Sequence, residues 1–241
     1  RGGCHPRRAA RAFEYPDAPP GAPRGRALVI SVLVNRGPGA ACDERRVCSL
    51  LRGELRFATT LVSNPTAAAA RAAVAAELSA DHSSSAAFVL FALGHGRDGC
   101  LVAADGLPVP LGRDVVGPLA SGLRGMEGSP KVLVLGCCRE GAGGGAEAAA
   151  QDAASLARAL SGAQGDTLVA CATLPGRLAW RDDARGSWFV STLCDALSEL
   201  RGEEHVSDIV DAAAGRVAEA AAGRGAERHE QQAAEVVKRG W

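Results

Sequence analysis

Lysine is nearly missing from this chain: only Lys131 and Lys238 carry an ε-ammonium, and arginine supplies the other cations. With alanine very common, this reads as a compositional bias of the source genome. The 27 basic residues are matched by 27 acidic ones, so the formal net charge is zero. Nothing in that balance draws the chain to nucleic acid or to an anionic membrane. No apolar run reaches the roughly 18 residues of a membrane span. Arg1 to Pro23 is basic and rich in Pro and Gly, and it lacks the apolar stretch of a secretory signal. The expectation is therefore a cytoplasmic protein with no nucleic-acid and no membrane partner. No Cys-x-x-Cys pair occurs, and no histidine is grouped with cysteine at zinc spacing, so neither a metal nor a cofactor is expected. The eight cysteines (Cys4, Cys42, Cys48, Cys100, Cys137, Cys138, Cys171 and Cys194) show no small-framework spacing and read as reduced cytosolic thiols.

What is present suffices for a folded core: 47% hydrophobic and 22% charged residues over 241 positions fit one α/β domain or two small ones. Residues 1–26 read as an irregular lead-in. Ala27-Leu-Val-Ile-Ser-Val-Leu-Val34 is an unbroken apolar run, as in a strand buried on both faces. A Gly/Pro loop follows, and Asp43 is placed to cap a helix through Arg52. Strands are expected at Leu55–Val62, Ala87–Leu93, Lys131–Gly136 and Thr167–Thr173. A hairpin is expected over Cys100–Val109, turning at Asp105-Gly106. Helices are expected from Asn64 to Leu78, Arg113 to Leu123, Gly186 to Leu200 and Val206 to Ala221. Glu140 to Gln151 reads as a mobile linker, although its alanines can extend a helix. Val236 and Val237 can form a last strand. Strands alternating with helices predict an α/β fold with a mainly parallel sheet covered on both faces. Sites in such sheets gather at the carboxyl ends of strands, and two of those ends carry reactive side chains, His95 and Cys138.

A cysteine hydrolase needs a thiolate, a proton carrier and donors for the developing oxyanion. A free thiol titrates at about 8.5, and a nearby imidazole stabilises its thiolate or protonates the leaving amine. Gly94-His95-Gly96 lets the backbone turn sharply and frees the Gly96 N–H, which with the Cys138 N–H suits an oxyanion hole. Each signal also has a plainer reading: a loop histidine, a small core cysteine, an ordinary turn. Their joint order and spacing carry the argument.

That order resembles the caspase family. Its active-site stretch Gln-Ala-Cys-Arg-Gly, with a histidine about 50 residues upstream, corresponds to Gly136-Cys137-Cys138-Arg139-Glu140 with His95 ahead of it. Phe88 to Gly99 resembles the family's strand, histidine and glycine block. Ser129-Pro130-Lys131 resembles its Pro-Lys strand leading to the nucleophile. Ala172-Thr-Leu-Pro175-Gly176-Arg-Leu-Ala-Trp180-Arg181-Asp182 with Gly186-Ser187-Trp188-Phe189 resembles its small-subunit signature. Glu14-Tyr15-Pro16 and Asp208 to Val217 extend the resemblance over nearly the whole chain. The resemblance implies a caspase-like three-layer sandwich and a cysteine endopeptidase that cleaves after aspartate in apoptosis. A pair of arginines would grip the substrate carboxylate. Arg181 matches one, and Arg36 is the candidate for the other, its alternative being a solvated loop charge. Trp180 would wall the neighbouring subsite or simply pack as an aromatic. Asp182 stands where the family has Asn. Metacaspases also carry a His-Gly and a Cys, but the Trp180-Arg181 block does not fit them.

Three departures stand out. Gly136 replaces a pocket glutamine, Glu140 replaces the glycine after Cys-Arg, and Leu178 replaces a tyrosine. The resemblance also implies a large part at 27–150, a linker at 151–165 and a small part at 166–241. Asp152 is a candidate cut site, or else an ordinary exposed carboxylate or helix cap; Asp166 is a second, less accessible one. No recruitment module is legible ahead of residue 13, which fits an effector-type enzyme or a piece of a longer chain. Expected partners are proteins with accessible aspartates, a second copy in a homodimer, and an upstream activating caspase or an inhibitor protein. The alternatives are a catalytically impaired homologue that regulates other caspases by dimerisation, and an α/β binding domain whose Cys and His are incidental.

Overall fold

The computed structural model describes residues 18, 20–141, 145–223 and 232–240. Glu14-Tyr15-Pro16 and Cys4 lie outside them. The apolar run after the lead-in forms β1 (Gly25–Ser31), starting two residues before the expected boundary. It pairs in parallel with β2 (Phe57–Ser63) on one side and β3 (Ala87–Leu93) on the other. β3 pairs with β7 (Lys131–Gly136), and β7 with β8 (Thr167–Cys171), again in parallel. The last strand, β11 (Glu235–Arg239), runs antiparallel to β8 and closes the order β11-β8-β7-β3-β1-β2. The regions 27–150 and 166–241 thus feed one six-stranded sheet.

Side chains alternate across each central strand, as the period of two requires. Leu28, Ile30, Leu90 and Leu133 face α2 (Ala67–Ser79), α3 (Gly117–Gly122) and α4 (Ala146–Leu160). Ala27, Val29, Phe91 and Val134 face α1 (Pro38–Ser49), α5 (Trp188–Leu200) and α6 (Val206–Gly223). The result is the expected three-layer α/β sandwich.

Local chemistry explains several boundaries. Pro38 sits in the first turn of α1, where a missing N–H costs nothing, so the helix starts before Asp43. Asp43 is not a cap but a buried acceptor: the Ser187 N–H donates to it at 2.8 Å and the Ser187 hydroxyl at 2.5 Å. After α1 the coil widens into a π-helical turn at Leu50–Glu54, where the Leu55 N–H reaches Leu50 O at 2.9 Å. A similar turn, Leu111–Val116, replaces the start of the helix expected at Arg113. Thr66 caps α2 by accepting from the Ala69 N–H at 3.1 Å. The hairpin of β5 (Cys100–Val102) and β6 (Pro108–Pro110) gains a third antiparallel strand, β4 (His95–Arg97).

The expected linker is a correction. Residues 146–160 form α4, not a loose segment. Leu156 and Leu160 are buried on it and seal it to the sheet, which overrides the Gly/Ala composition. Among the described residues, no helix is long and apolar enough to cross a membrane.

Candidate active site

Four neighbouring strands deliver the site from their carboxyl ends. β1 leads to Asn35 and Arg36, β3 to Gly94 and His95, β7 to Cys138, and β8 to the loop bearing Ala179, Trp180 and Arg181. All of these except Asn35 line one cleft of about 250 Å³. Leu178, Gly136, Cys137 and Ser187 complete its wall. A larger apolar cavity, about 320 Å³, lies at the opposite ends of the strands between Leu51, Phe57, Leu193 and Ile209; no cysteine or serine lines it.

His95 is exposed, and its Nε2 lies 3.0 Å from Asn35 O. A carbonyl only accepts, so this contact places the imidazole proton on Nε2 and leaves Nδ1 as the basic nitrogen. Asn35 supplies that carbonyl from a left-handed backbone, φ 57°, a conformation asparagine tolerates. The Asn64 side chain braces the loop by accepting from the Leu33 N–H at 2.7 Å. Cys138 is half-buried. Its Sγ accepts from the Ala179 N–H at 3.4 Å and faces Ala179 O at 3.8 Å. Gly96 packs directly on the backbone of Cys138: a Cβ there would lie 2.0 Å from Cys138 O. Only glycine allows the histidine block and the cysteine loop to approach this closely.

The arginines are the electrostatic centre. Arg36 is 4% exposed, and its Nε and Nη1 have no hydrogen-bond partner. Burial, then the like charge of Arg181, holds its pKa below the ordinary guanidinium value, and Asp43 opposes the shift. Burial also raises the Asp43 pKa, against the hydrogen bonds from Ser187. A buried guanidinium with open donors beside a second arginine has the chemistry to hold a carboxylate.

Trp180 is half-buried. Its backbone N–H donates to Gln232 Oε1 at 2.7 Å, and Gln232 Nε2 donates to Ala172 O at 2.6 Å. Asp182 does not line the cleft: its Oδ1 accepts from the Ala184 and Arg185 N–H groups at 2.8 and 3.0 Å, closing a local turn. Asp152 is not on a flexible stretch either; it lies in α4 with its carboxylate on Arg139. Sequence reasoning missed Asn35, Ala179 and Gln232. The first two act through backbone atoms, which leave no side-chain signature.

The family model described as "Caspase domain" matches residues 24–238. The chain belongs to the caspase family. Caspase-3 of Bos taurus is 32% identical over 127 residues, covering 49% of this chain and 43% of that protein. Caspase-7 of Gallus gallus is 32% identical over 130 residues, covering 49% and 40%. The matched stretch therefore spans less than half the length of these curated relatives. The crystal structure of caspase-1 from Spodoptera frugiperda superposes with a TM-score of 0.74 at 22% identity, covering 98% of this chain and 94% of that one. At that identity the likeness shows the fold.

Within this caspase domain the three departures have distinct settings. Gly136 is buried at the end of β7, and a Cβ there would meet Leu93 Cδ2 at 2.7 Å and Val190 Cγ2 at 3.0 Å. Those two side chains fill the space, so a longer residue needs them to move. Glu140 is exposed, and its carbonyl accepts from the Asp98 N–H at 3.1 Å. Leu178 is 39% exposed at the cleft rim.

Several of the other thiols lie deeper than half-buried Cys138. The described cysteines are free, and Cys137, Cys171 and Cys194 are buried. Burial pushes Cys171 and Cys194 up to about 12 and raises Cys137 as well. In the unfolded chain a thiol ionises from about 8.5, so the unfolded state binds fewer protons above that pH. Stability present below about 8.5 is therefore lost as pH rises towards about 12, by up to ~1.4 kcal/mol per pH unit for each thiol. Melting temperatures measured under reductant from pH 7 to 10 are expected to fall, and Cys171→Ala with Cys194→Ala is expected to flatten the slope. A pH-independent wild-type profile would show that the thiols stay out of this linkage. Among the described residues no group of three His, Cys, Asp or Glu is placed to hold a metal.

Proposed function

We propose that this chain is a cysteine-type endopeptidase that cleaves peptide bonds after aspartate. The observation that carries this reading is the buried, unpartnered Arg36 guanidinium lining the same cleft as Arg181, Cys138 and His95. Arg36 and Arg181 take the substrate carboxylate, and Trp180 walls the next subsite. The Cys138 thiolate attacks the carbonyl carbon, and the oxyanion that forms accepts from the N–H groups of Gly96 and Cys138. His95 Nδ1 takes the Cys138 thiol proton as the thiolate forms and passes it to the departing amine, while Nε2–H stays on Asn35 O. Water, deprotonated by His95, then attacks the thioester and releases the acid. The role is apoptotic proteolysis in the cytoplasm by a homodimer. Support for the dimer is the edge position of β11, on whose outer side no strand pairs among the described residues. Regions 27–150 and 166–241 correspond to the large and small parts, made as one zymogen chain.

The test is hydrolysis of fluorogenic peptides ending in aspartate, glutamate or asparagine, in a high concentration of kosmotropic salt to favour association. Glutamate, one methylene longer, is expected to be slower by about 10–200-fold, and asparagine, lacking the charge, by more. No hydrolysis of the aspartate peptide, or equal hydrolysis of all three, would sink the reading.

A further inference from the structure

The two arginines of the carboxylate pocket come from distant parts of the chain. Arg36 precedes α1, and Arg181 lies on β9 (Arg181–Asp182). β9 pairs antiparallel with β10 (Gly186–Ser187), which sets Ser187 opposite Arg181. That pairing orients Arg181 within its hairpin but not against Arg36. The link between the two is Asp43. It projects from α1, is 1% exposed, and accepts from both the backbone N–H and the hydroxyl of Ser187. Hydrogen bonds to a carboxylate are among the stronger ones, so this anchor is stiff. Both guanidiniums are near enough to pull the Asp43 pKa down, against the burial that raises it. Glycines close the seam around the anchor. A Cβ on Gly39, in the first turn of α1, would lie 2.5 Å from Asp182 O and 3.2 Å from Arg181 Cδ. A Cβ on Gly186 would lie 2.2 Å from Asp43 Oδ1. The helix after Arg36 and the hairpin of Arg181 thus meet backbone to backbone over one buried acid. Asp43 does not line the cleft, so it acts on the pocket through Ser187.

We propose that Asp43 is a positioning residue for substrate selection: by anchoring β10, and through it Arg181, to the helix that follows Arg36, it sets the span between the two guanidiniums and so the length of acidic side chain they hold. The proposal rests on the peptidase reading and deepens it. Aspartate and glutamate carry the same charge and differ by one methylene, so charge alone discriminates little between them. Discrimination needs a span that does not widen. Without the anchor the hairpin parts from α1, Arg181 follows the longer side chain, and glutamate gains on aspartate.

The variants are Asp43→Ala, Asp43→Asn and Ser187→Ala, each read on the full chain with peptides ending in aspartate and in glutamate. Alanine at 43 removes the anchor. Asparagine keeps an acceptor for the Ser187 N–H and removes the charge, which acts on both peptides alike and cancels from their ratio. Asp43→Ala is expected to cut the aspartate-over-glutamate ratio of kcat/KM by about 10-fold, through a higher KM for the aspartate peptide with kcat within about threefold. Asp43→Asn is expected to keep the ratio within about threefold of wild type. Ser187→Ala loses the hydroxyl bond, keeps the N–H bond, and is expected to fall between them. If Asp43→Ala does not fold, Ser187→Ala carries the test, and an unchanged ratio there overturns the proposal. A ratio that holds in folded Asp43→Ala while the melting temperature falls makes Asp43 structural, and the proposal falls. It falls too if Asp43→Asn loses the ratio as fully as Asp43→Ala, since the charge and not the anchor is then at work. If wild type hydrolyses neither peptide, the peptidase reading fails by itself. Fluorescence anisotropy of labelled peptides ending in the free acid then decides the anchor. A preference for aspartate that Asp43→Ala loses supports it; no preference, or one that Asp43→Ala retains, overturns it.

Discussion

Cys138→Ala is expected to lower kcat on an aspartate-ended peptide by at least about 10³-fold, and by as much as ~10⁶ if the dyad acts as a unit. KM and melting temperature are expected to hold. The reason is geometric: the sulfur is half-buried, held by one N–H of Ala179, and carries no packing comparable to its buried neighbour Cys137. Alanine keeps the backbone, including the Cys138 N–H assigned to the oxyanion. Arg36, Arg181 and Trp180 are untouched, so the peptide is still captured. The measurement pairs turnover with binding of a labelled peptide by fluorescence anisotropy. Lost turnover with retained binding identifies the nucleophile. Retained turnover would remove Cys138 from the chemistry, and lost binding would mean that the substitution disturbed the cleft.

The strands were legible because buried parallel strands are continuous apolar runs. Ala87–Leu93 and Lys131–Gly136 appear in the structure with the bounds read from sequence. Their ends were legible too, since Gly-His-Gly and Cys-Cys-Arg break the apolar pattern abruptly. Fold class followed from the alternation of strands and helices. The crossover after Cys138 was not legible. Its Gly/Ala composition suits a flexible chain, and only tertiary burial of Leu156 and Leu160 makes it a helix. Asp152 therefore read as a candidate cut site in a flexible stretch, or else an exposed carboxylate or helix cap, although it sits on a helix against buried Arg139.

Local side-chain chemistry misled the reading at Asp43, and at Asp182 it hid the turn that the carboxylate closes. Both are aspartates near predicted boundaries. Asp43 sits where a cap was expected and instead bonds Ser187 across the fold, 144 residues away. Asp182 sits where a substrate contact was expected and closes its own turn. Neither outcome is a property of the residue type; each depends on which N–H groups the fold brings within reach. The imidazole tautomer was equally hidden, because the carbonyl of Asn35 that sets it is a backbone atom from a loop 60 residues distant.

Arg36→Met is expected to move activity and stability in opposite directions. In the free protein Arg36 is a buried cation with two open donors, next to a second arginine. Asp43, the nearest counter-charge, already accepts from the N–H and hydroxyl of Ser187. An apolar side chain of similar length removes that uncompensated charge. Burial and the like charge of Arg181 together outweigh Asp43 in disfavouring this charge, so its removal is expected to raise the melting temperature by a few degrees. The same change removes half of the carboxylate grip. Deleting one partner of a buried charge pair costs about 2–5 kcal/mol in binding, so kcat/KM for the aspartate peptide is expected to fall by on the order of 10²–10³-fold. Preference for aspartate over asparagine is expected to collapse with it. Arg181→Met is expected to match the loss of activity without the gain in stability, because Arg181 is only half-buried. A melting temperature that falls on Arg36→Met would make Arg36 a structural residue, whose open donors serve the fold and not the substrate.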